Sequence, residues 1–344
     1  MKIRIHKTLV LIILCTFVAY SQSFISDVSK RGTSAAPFLS IGQSARAIGM
    51  GSAFVGIQDD PSSLYWNPAG IASLEGIHIL FDHTNWIADT KYNFFAGTYN
   101  IGDLGTFGLS VIVSDLGEMQ VTTIEDPEGS TGQTFNSTDL AISLAYAVKL
   151  TEEFAIGFNP KFIYQGIWNM NASAFALDLG VQYKTPFDGI ILAMSISNFG
   201  TKMKLDGNNN LILYDADPGS AGNNDKIPAY LETSSWSLPL IFRVGLAYQP
   251  VNTEEHRVTL AVDALHPSDN YESVNAGAEY TFMDVFSIRG GYKALFLDAS
   301  EETFALGFGI KKQVLGNLTL HFDYSYQDFG RLSDIQKFSF GLSF

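Results

Sequence analysis

Residues Lys337–Phe344 read KFSFGLSF. Every second position is bulky and apolar, namely Phe338, Phe340, Leu342 and Phe344, and small or polar residues alternate with them. Successive side chains of a β-strand point to opposite faces, so a period of two is the sequence signature of a strand. The same alternation recurs in Phe175–Tyr183, Arg257–Ala264 and Leu318–Gln327.

The chain opens with a pattern typical of a secretory signal peptide. Lys2, Arg4 and Lys7 precede an apolar run from Thr8 to Ala19, and Ala19-Tyr20-Ser21 then offers a cleavage site of the small-x-small type. The run is too short to span a bilayer, which takes about 20 residues. A short buried helix is the alternative. We predict a signal peptide over residues 1–21 and export of the rest.

Composition narrows the class of protein. Hydrophobic residues make up 46% of the chain and charged residues only 16%, whereas about 25% of an ordinary soluble domain is charged. No later stretch is apolar for as long as a membrane helix requires. These features predict a bacterial outer-membrane protein that crosses the lipid as a transmembrane β-barrel, in which apolar residues are spread over alternate positions.

Charge and cysteine content exclude several functions. The net charge is −14, and removal of the basic signal segment makes the chain still more acidic. A nucleic-acid partner is therefore not expected, because phosphate binding needs a basic face. The single cysteine, Cys15, lies in the signal segment, so no disulfide or cysteine metal site is expected.

The sequence lacks enzyme and cofactor motifs. Gly49-Met50-Gly51 begins like a dinucleotide-binding fingerprint, but Phe54 stands where that fingerprint has its third glycine.

A soluble β-sandwich would alternate too, and two features favour the barrel. One strand face is large and aromatic while the other is small or polar, whereas a sandwich mixes sizes in its core and exposes many charges. Aromatic residues also fall at the predicted strand ends, as in the girdles at the two membrane interfaces. These residues are Trp86, Tyr92, Tyr99, Tyr146, Tyr164, Trp168, Tyr183, Tyr248 and Tyr280.

The alternation predicts an all-β barrel of 14 antiparallel strands, an even number as in single-chain bacterial barrels. The predicted spans are Ile77–Ala88, Lys91–Ile101, Gly105–Thr123, Thr138–Lys149, Phe154–Trp168, Ser173–Lys184, Gly189–Asn198, Leu238–Gln249, His256–Leu265, Glu272–Phe282, Val285–Leu297, Glu302–Lys311, Asn317–Gln327 and Ile335–Phe344. The long connections, Ile124–Ser137 and Phe199–Ser237, follow the third and seventh strands and so lie at the same end. The second is polar, which suits either a partner-binding loop or flexible filler.

The third predicted strand is longer than the 9–11 residues that a barrel strand needs. It contains Ser114-Asp115-Leu116-Gly117 in its middle. A glycine beside an aspartate inside a strand indicates a bulge or kink. A long strand that projects above the membrane is the alternative.

The segment Ile41–Gly76 carries a family resemblance. Gly42-Gln43-Ser44-Ala45-Arg46-Ala47, Gly49-Met50-Gly51-Ser52-Ala53-Phe54 and Asn67-Pro68-Ala69-Gly70 together resemble the N-terminal region of the PorV/PorQ family, which is related to the FadL fatty-acid transporters. The resemblance implies a small helical hatch, or plug, over residues 22–76 and a barrel over residues 77–344. Within the hatch, Tyr65 and Trp66 supply apolar bulk and Asn67-Pro68-Ala69-Gly70 turns the chain toward Ile77.

The resemblance also implies two functions. PorV-like proteins work in type IX secretion, where they bind the C-terminal sorting domain of secreted cargo and shuttle it to surface attachment. FadL-like proteins carry hydrophobic ligands through a lateral gap beside a kinked third strand, for which Ser114, Asp115 and Gly117 are the candidates here. The terminal Phe344 resembles the signal that the barrel-assembly machinery reads.

Polar residues on the small-residue face are expected in the lumen. They are Lys161, Asp178, Arg243, Asp263, Glu279, Arg289 and Asp323. They suit either a polar pathway or salt bridges that anchor the hatch. Asp59-Asp60 could hold a cation, but a helix cap before Pro61 is favoured.

Overall fold

The wall of the protein is a closed antiparallel barrel of 14 strands, which confirms the predicted fold class. Numbered in chain order, the strands are β1 Ile77–Asn85, β2 Lys91–Asn100, β3 Thr106–Asp115, β4 Thr134–Lys149, β5 Phe154–Ile167, β6 Met170–Lys184, β7 Ile190–Gly200, β8 Ile241–Asn252, β9 His256–Pro267, β10 Ser273–Phe282, β11 Phe286–Leu295, β12 Phe304–Leu315, β13 Leu318–Gln327 and β14 Ile335–Ser343. Each pairs with the next, and β14 returns to pair with β1 from His78↔Ser343 to Asn85↔Gln336.

This computed structural model describes residues 30–344 except 188, 221, 223, 225, 298 and 299. The predicted signal peptide, residues 1–21, and the first residues of the predicted hatch, 22–29, lie outside the described residues. No helix among the described residues is long and apolar enough to cross a membrane.

The alternation of the strands sorts side chains between the two faces of the wall. Large apolar residues such as Phe81, Leu144 and Phe175 are exposed on the outside, where lipid would surround them. Small and polar residues such as Ala145, Ser143 and Asp178 are buried on the inside. The outward face therefore meets lipid and the inward face meets the rest of the chain.

Two of the predicted girdle aromatics point inward instead. Tyr92 is buried, and its ring stands edge-on to Trp86 with the centroids 6.1 Å apart. Trp86 in turn packs edge-on against Phe329 at 5.2 Å. Tyr92 shares its strand face with the buried Phe94 and Ala96. The girdle prediction was wrong for these two because position at a strand end does not fix which face a residue occupies.

The lumen is filled by residues 35–76, hereafter the plug. Its regular elements are a 3₁₀ turn at Pro37–Ser40, helix α1 at Ala45–Gly49, helix α2 at Ser63–Trp66 and a 3₁₀ helix at Pro68–Ser73. Apolar side chains of the plug, including Phe38, Leu39 and Phe54, are buried among inward residues of the wall. The predicted helical plug is confirmed.

The long connections lie together at one end of the barrel, here called the long-loop end, as predicted. Between β3 and β4 the strand Glu118–Gln120 pairs with Thr134–Asn136, so β4 begins before its predicted start. The connection from β7 to β8 carries the strands Met203–Lys204, Asp206–Gly207, Leu211–Tyr214, Ile227–Tyr230 and Ser235–Trp236 and a 3₁₀ turn at Asn208–Asn210. Of these, Asp206–Gly207 pairs with Asn171–Met170 of β6, and the other strands pair within the connection. Further 3₁₀ turns lie at Ile87–Asp89, Gly102–Leu104 and Gly330–Leu332.

Candidate functional site: the plug and its seat in the barrel wall

The Asn67-Pro68-Ala69-Gly70 motif anchors one side of the plug. The Asn67 side chain is fully buried, and its Oδ1 accepts a hydrogen bond from the Ala69 backbone N–H at 3.1 Å, which caps the 3₁₀ helix. Its Nδ2 donates to the carbonyl of Val55 at 3.0 Å and to the carbonyl of Val181 at 3.1 Å. The Asn67 amide therefore stabilises the motif itself, and it connects the motif both to the rest of the plug and to strand β6.

Two glycines of the wall form the seat for this motif. Gly157 on β5 and Gly180 on β6 are register partners. A Cβ added to Gly180 would lie 1.9 Å from Asn67 Oδ1, and one added to Gly157 would lie 2.4 Å from the Ala69 nitrogen. Only glycine leaves room for the plug backbone to lie directly on the strands.

A second glycine pair receives the other side of the plug. Gly277 on β10 and Gly291 on β11 are also register partners. A Cβ on Gly277 would lie 2.0 Å from the Met50 carbonyl oxygen, and one on Gly291 would lie 2.3 Å from the Gly51 nitrogen. The plug is therefore clamped, backbone against backbone, at two separate places on the wall.

Tyr65 and Trp66, predicted to supply apolar bulk, connect different parts of the plug to each other. The Tyr65 hydroxyl donates to the Leu39 carbonyl at 3.0 Å, and the Trp66 indole N–H donates to the Gln43 carbonyl at 3.0 Å. Their rings meet edge-on at 5.0 Å. The Arg243 guanidinium of β8 lies 5.7 Å from the Trp66 ring centroid, which adds a cation–π contact from the wall.

Asp59 and Asp60 bind protein groups. Asp60 Oδ1 accepts from the Ser62 N–H at 2.8 Å and from the Ser62 hydroxyl at 2.6 Å. Arg46 approaches Asp59 at 3.0 Å and Asp60 at 3.3 Å. Helix α2 begins at Ser63, so Pro61 lies in the turn before the helix rather than at its first position. Asp60 stabilises that turn through Ser62.

Arg46 also reaches the wall and joins a buried ionic chain. Its Nη2 lies 2.7 Å from Glu279 Oε1 on β10. Arg289 on β11 then bridges Glu279 at 2.5 Å and Asp323 at 2.6 Å. Alternating charges pair in this way from plug to wall, so each buried ion has a counter-ion. The arrangement supports the interpretation that these residues anchor the hatch.

The other predicted lumen residues form separate contacts. Lys161 pairs with Asp178 at 2.9 Å, and Arg243 donates to the Ser197 hydroxyl at 2.9 Å. Asp263 accepts from two plug N–H groups, those of Phe54 at 2.6 Å and Val55 at 3.0 Å. The predicted set is therefore spread around the plug rather than gathered at one point.

Sequence reasoning missed an ion pair at the seam where β1 meets β14. Lys337 and Asp82 are both buried and lie 3.3 Å apart. Lys337 Nζ also donates to the Gly42 carbonyl at 2.5 Å, and Asp82 Oδ2 accepts from the Ser44 N–H at 3.1 Å. The alternation of the last strand already places Lys337 on the inward face. It does not show that the partner of Lys337 is Asp82, which is far away in the sequence.

The third strand does break near the predicted position. β3 ends at Asp115, and pairing with β4 resumes at Glu118↔Asn136 with the register shifted by one residue. Gly117 has φ +73°, and its N–H donates to Asp115 Oδ1 at 3.0 Å. The Ser114 hydroxyl accepts from the Asp139 N–H at 2.8 Å. Beside this break, Leu116 packs against the apolar core.

A polar cavity of about 100 Å³ lies beside Arg46, at the end of the barrel opposite the long loops. Asp59, Glu279 and Arg289 are among its lining residues. The terminal Phe344 lies at this end as well, where its N–H donates to the Ile77 carbonyl at 2.9 Å and extends the seam. Whether Phe344 serves as an assembly signal stays a prediction.

Solved structures with the same fold include three transport-type barrels. The toluene transporter TbuX of Ralstonia pickettii shares 14% identity over 86% of this chain and 96% of its own, with a TM-score of 0.53. The Pseudomonas putida toluene transporter TodX shares 12% over 88% and 97%, with a TM-score of 0.55. A Pseudomonas aeruginosa FadL homologue shares 12% over 88% and 98%, with a TM-score of 0.53. This protein thus has the FadL-like barrel fold of these structures.

The family follows from the sequence. The model of the family described as "Type IX secretion system protein PorV" matches residues 26–213, more than half of the chain. The chain therefore belongs to the PorV family, which confirms the predicted resemblance. Comparison with curated protein sequences found no match. The family and the structural relatives are named as secretion, channel or transport proteins, not as enzymes.

Proposed function

We propose that this protein docks secreted cargo at the cell surface in a type IX-like pathway. In this proposal the signal peptide directs export and is removed, the assembly machinery inserts the barrel, and the long-loop end faces outward. The barrel is then a membrane anchor, and its long connections form the surface that meets cargo or other secretion proteins. The name of the matching family supports this pathway.

The close seat of the plug is the observation that carries the proposal. Plug backbone lies directly on Gly157, Gly180, Gly277 and Gly291, and a buried ionic chain links Arg46 to the wall. Removing the plug would separate these charges and expose the apolar side chains packed around it, both of which are costly. A barrel closed in this way suits a docking platform better than an open conduit.

Deletion of the gene tests the proposal. Cargo that carries C-terminal sorting domains should accumulate in the periplasm of the deletion strain, and the wild-type gene should restore its surface display. Fractionation and surface labelling of one such cargo would measure this. Normal display in the deletion strain would contradict the proposal.

FadL-like transport of a hydrophobic solute is the second candidate, and the broken third strand favours it. The register shift at Leu116–Gly117 marks the place where a lateral opening could form beside β3. If solute leaves there, Leu116→Trp should slow uptake of a labelled fatty acid or toluene, whereas Leu109→Trp, on the outward face of the same strand, should not. Equal uptake in the wild-type and deletion strains would rule out transport.

A further inference from the structure

The tip of the β7–β8 connection is a small hairpin that stands apart from the barrel sheet. Leu211–Tyr214 pairs with Ile227–Tyr230, from Leu211↔Tyr230 to Tyr214↔Ile227. Among the described residues these two strands form a sheet of their own. A lone two-stranded hairpin is marginally stable in water unless one face is covered.

One face of this hairpin is apolar and open. Leu211 and Leu213 lie on the same face because they are two residues apart, and their partners Tyr230 and Pro228 lie beside them. Beside Tyr230 lies a mainly polar groove, whose lining includes Leu231, Asp206 and Glu232. Leu213 is 64% exposed and Tyr230 is 65% exposed. Contiguous exposed apolar surface of this kind marks an interaction site.

The surroundings of the face are acidic. Among the described residues of the connection, Lys204 pairs with Asp206 at 3.8 Å, which leaves Asp215, Asp217 and Glu232 against Lys202 and Lys226. The β3–β4 connection at the same end of the barrel has only acidic charges: Glu118, Glu125, Asp126 and Glu128. An anionic lipid surface would be repelled by this field, whereas a basic protein surface would be attracted.

We propose that the apolar face of this hairpin, formed by Leu211, Leu213, Pro228 and Tyr230, binds a segment of secreted cargo in which an apolar strand is flanked by lysine or arginine. The apolar residues supply most of the binding energy, and the acidic surroundings speed association and orient the segment. This inference rests on the proposed docking function and assigns it to one surface.

A binding measurement on the full-length protein in detergent tests the assignment. The probe is a purified C-terminal sorting domain from a cargo of the same organism. The double variant L213S/Y230S should weaken binding at least tenfold, and raising the salt from 50 to 300 mM should weaken binding to the wild type. The matched control F296S/L332S changes two exposed apolar residues in the short connections of the same end and should leave the affinity within twofold.

The outcomes separate the two claims. Equal binding by the wild type and L213S/Y230S would overturn the hairpin assignment and leave the docking function standing. A probe that binds neither protein would overturn both. Because the mature chain has no cysteine, a spin label on Leu213→Cys reports the surroundings of the face. Contact of that label with lipid, or a dimer lost in L213S/Y230S, would also overturn the assignment.

Discussion

Gly157 and Gly180 face each other across β5 and β6, and the plug backbone at Pro68 and Ala69 lies directly on both. Gly180→Val should therefore displace Asn67 and loosen the plug, because a side chain there has no room. Overpacking of this kind typically costs about 1–3 kcal/mol. Sensitivity of cells to vancomycin and to detergent should rise.

Gly97→Val is the matched control for this change. Gly97 lies on β2, and an added Cβ there would meet only the Phe95 ring at 3.6 Å. Cells with this variant should keep wild-type sensitivity. Both variants must give a heat-modifiable, membrane-inserted barrel, so that the comparison reports the plug alone. Equal sensitivity of the two variants would contradict the proposed seat.

Asn67→Ala should destabilise the plug without disturbing the wall. It removes the cap on Ala69 and the Asn67 donor to the Val55 and Val181 carbonyls, of which the Val55 carbonyl keeps the Gln182 amide as a donor. Loss of the cap and loss of a buried hydrogen bond each cost about 1 kcal/mol. Hydrogen exchange in residues 55–73 should accelerate at least tenfold, with β10 and β11 unchanged. Asn100→Ala, at the end of β2, should leave exchange in the plug as in the wild type.

The buried Asp82–Lys337 pair predicts a non-additive double variant. Asp82→Asn leaves the Lys337 ammonium buried without its carboxylate, and such a change typically costs about 3–5 kcal/mol. Adding Lys337→Met removes the stranded charge and should recover most of the loss. Urea unfolding in lipid vesicles would measure the stability of each single variant and of the double variant. A double variant as unstable as the sum of the two single variants would argue against direct coupling.

The barrel could be predicted because each strand shows the alternation of apolar and polar residues within its own sequence. KFSFGLSF shows an inward and an outward face without reference to any other segment, and the strand count follows by repetition. The plug required the resemblance, since Asn67-Pro68-Ala69-Gly70 by itself indicates only a turn.

The contacts between plug and wall could not be predicted in the same way. Gly180 and Asn67, or Lys337 and Asp82, are joined only when the barrel closes and the chain folds into its lumen. Glycines at inward strand positions were the available signal for the seat, yet glycine in a strand also suits a bulge or a bend. The strand ends differed from the prediction for a related reason: pairing with a neighbour, as for Thr134–Asn136, lengthens a strand beyond its own apolar pattern.

A pH-dependent contact should exist between two loops of the long-loop end. Arg331 donates hydrogen bonds to Glu301, and these hold the pKa of that carboxyl below its ordinary value of 4.5. Because the pKa of Glu301 is lower in the folded protein than its ordinary value, the contact is fully formed at every pH above the ordinary value. It is lost when the pH falls below the lowered pKa and Glu301 becomes protonated. Spin labels on Ser300→Cys and Leu332→Cys should keep one distance from pH 7 to 5 and separate in stronger acid.

Arg331→Gln supplies the control for this contact. Without the guanidinium, the distance between the two labels should be the same at neutral and acid pH. Protonation of Glu301 then no longer removes an ion pair with residue 331. A pH-dependent distance that persists in Arg331→Gln would assign the change to another group.

The central claim, a barrel that stays plugged while it docks cargo, is tested most directly by a cross-link between plug and wall. A Cβ on Gly56 would lie 2.9 Å from the Ala247 Cβ, close enough for a disulfide after a small adjustment. Cells that carry Gly56→Cys with Ala247→Cys should display cargo at the wild-type level when the bond is oxidised. Display that fails on oxidation and returns on reduction would show that the plug must move, and would contradict the account.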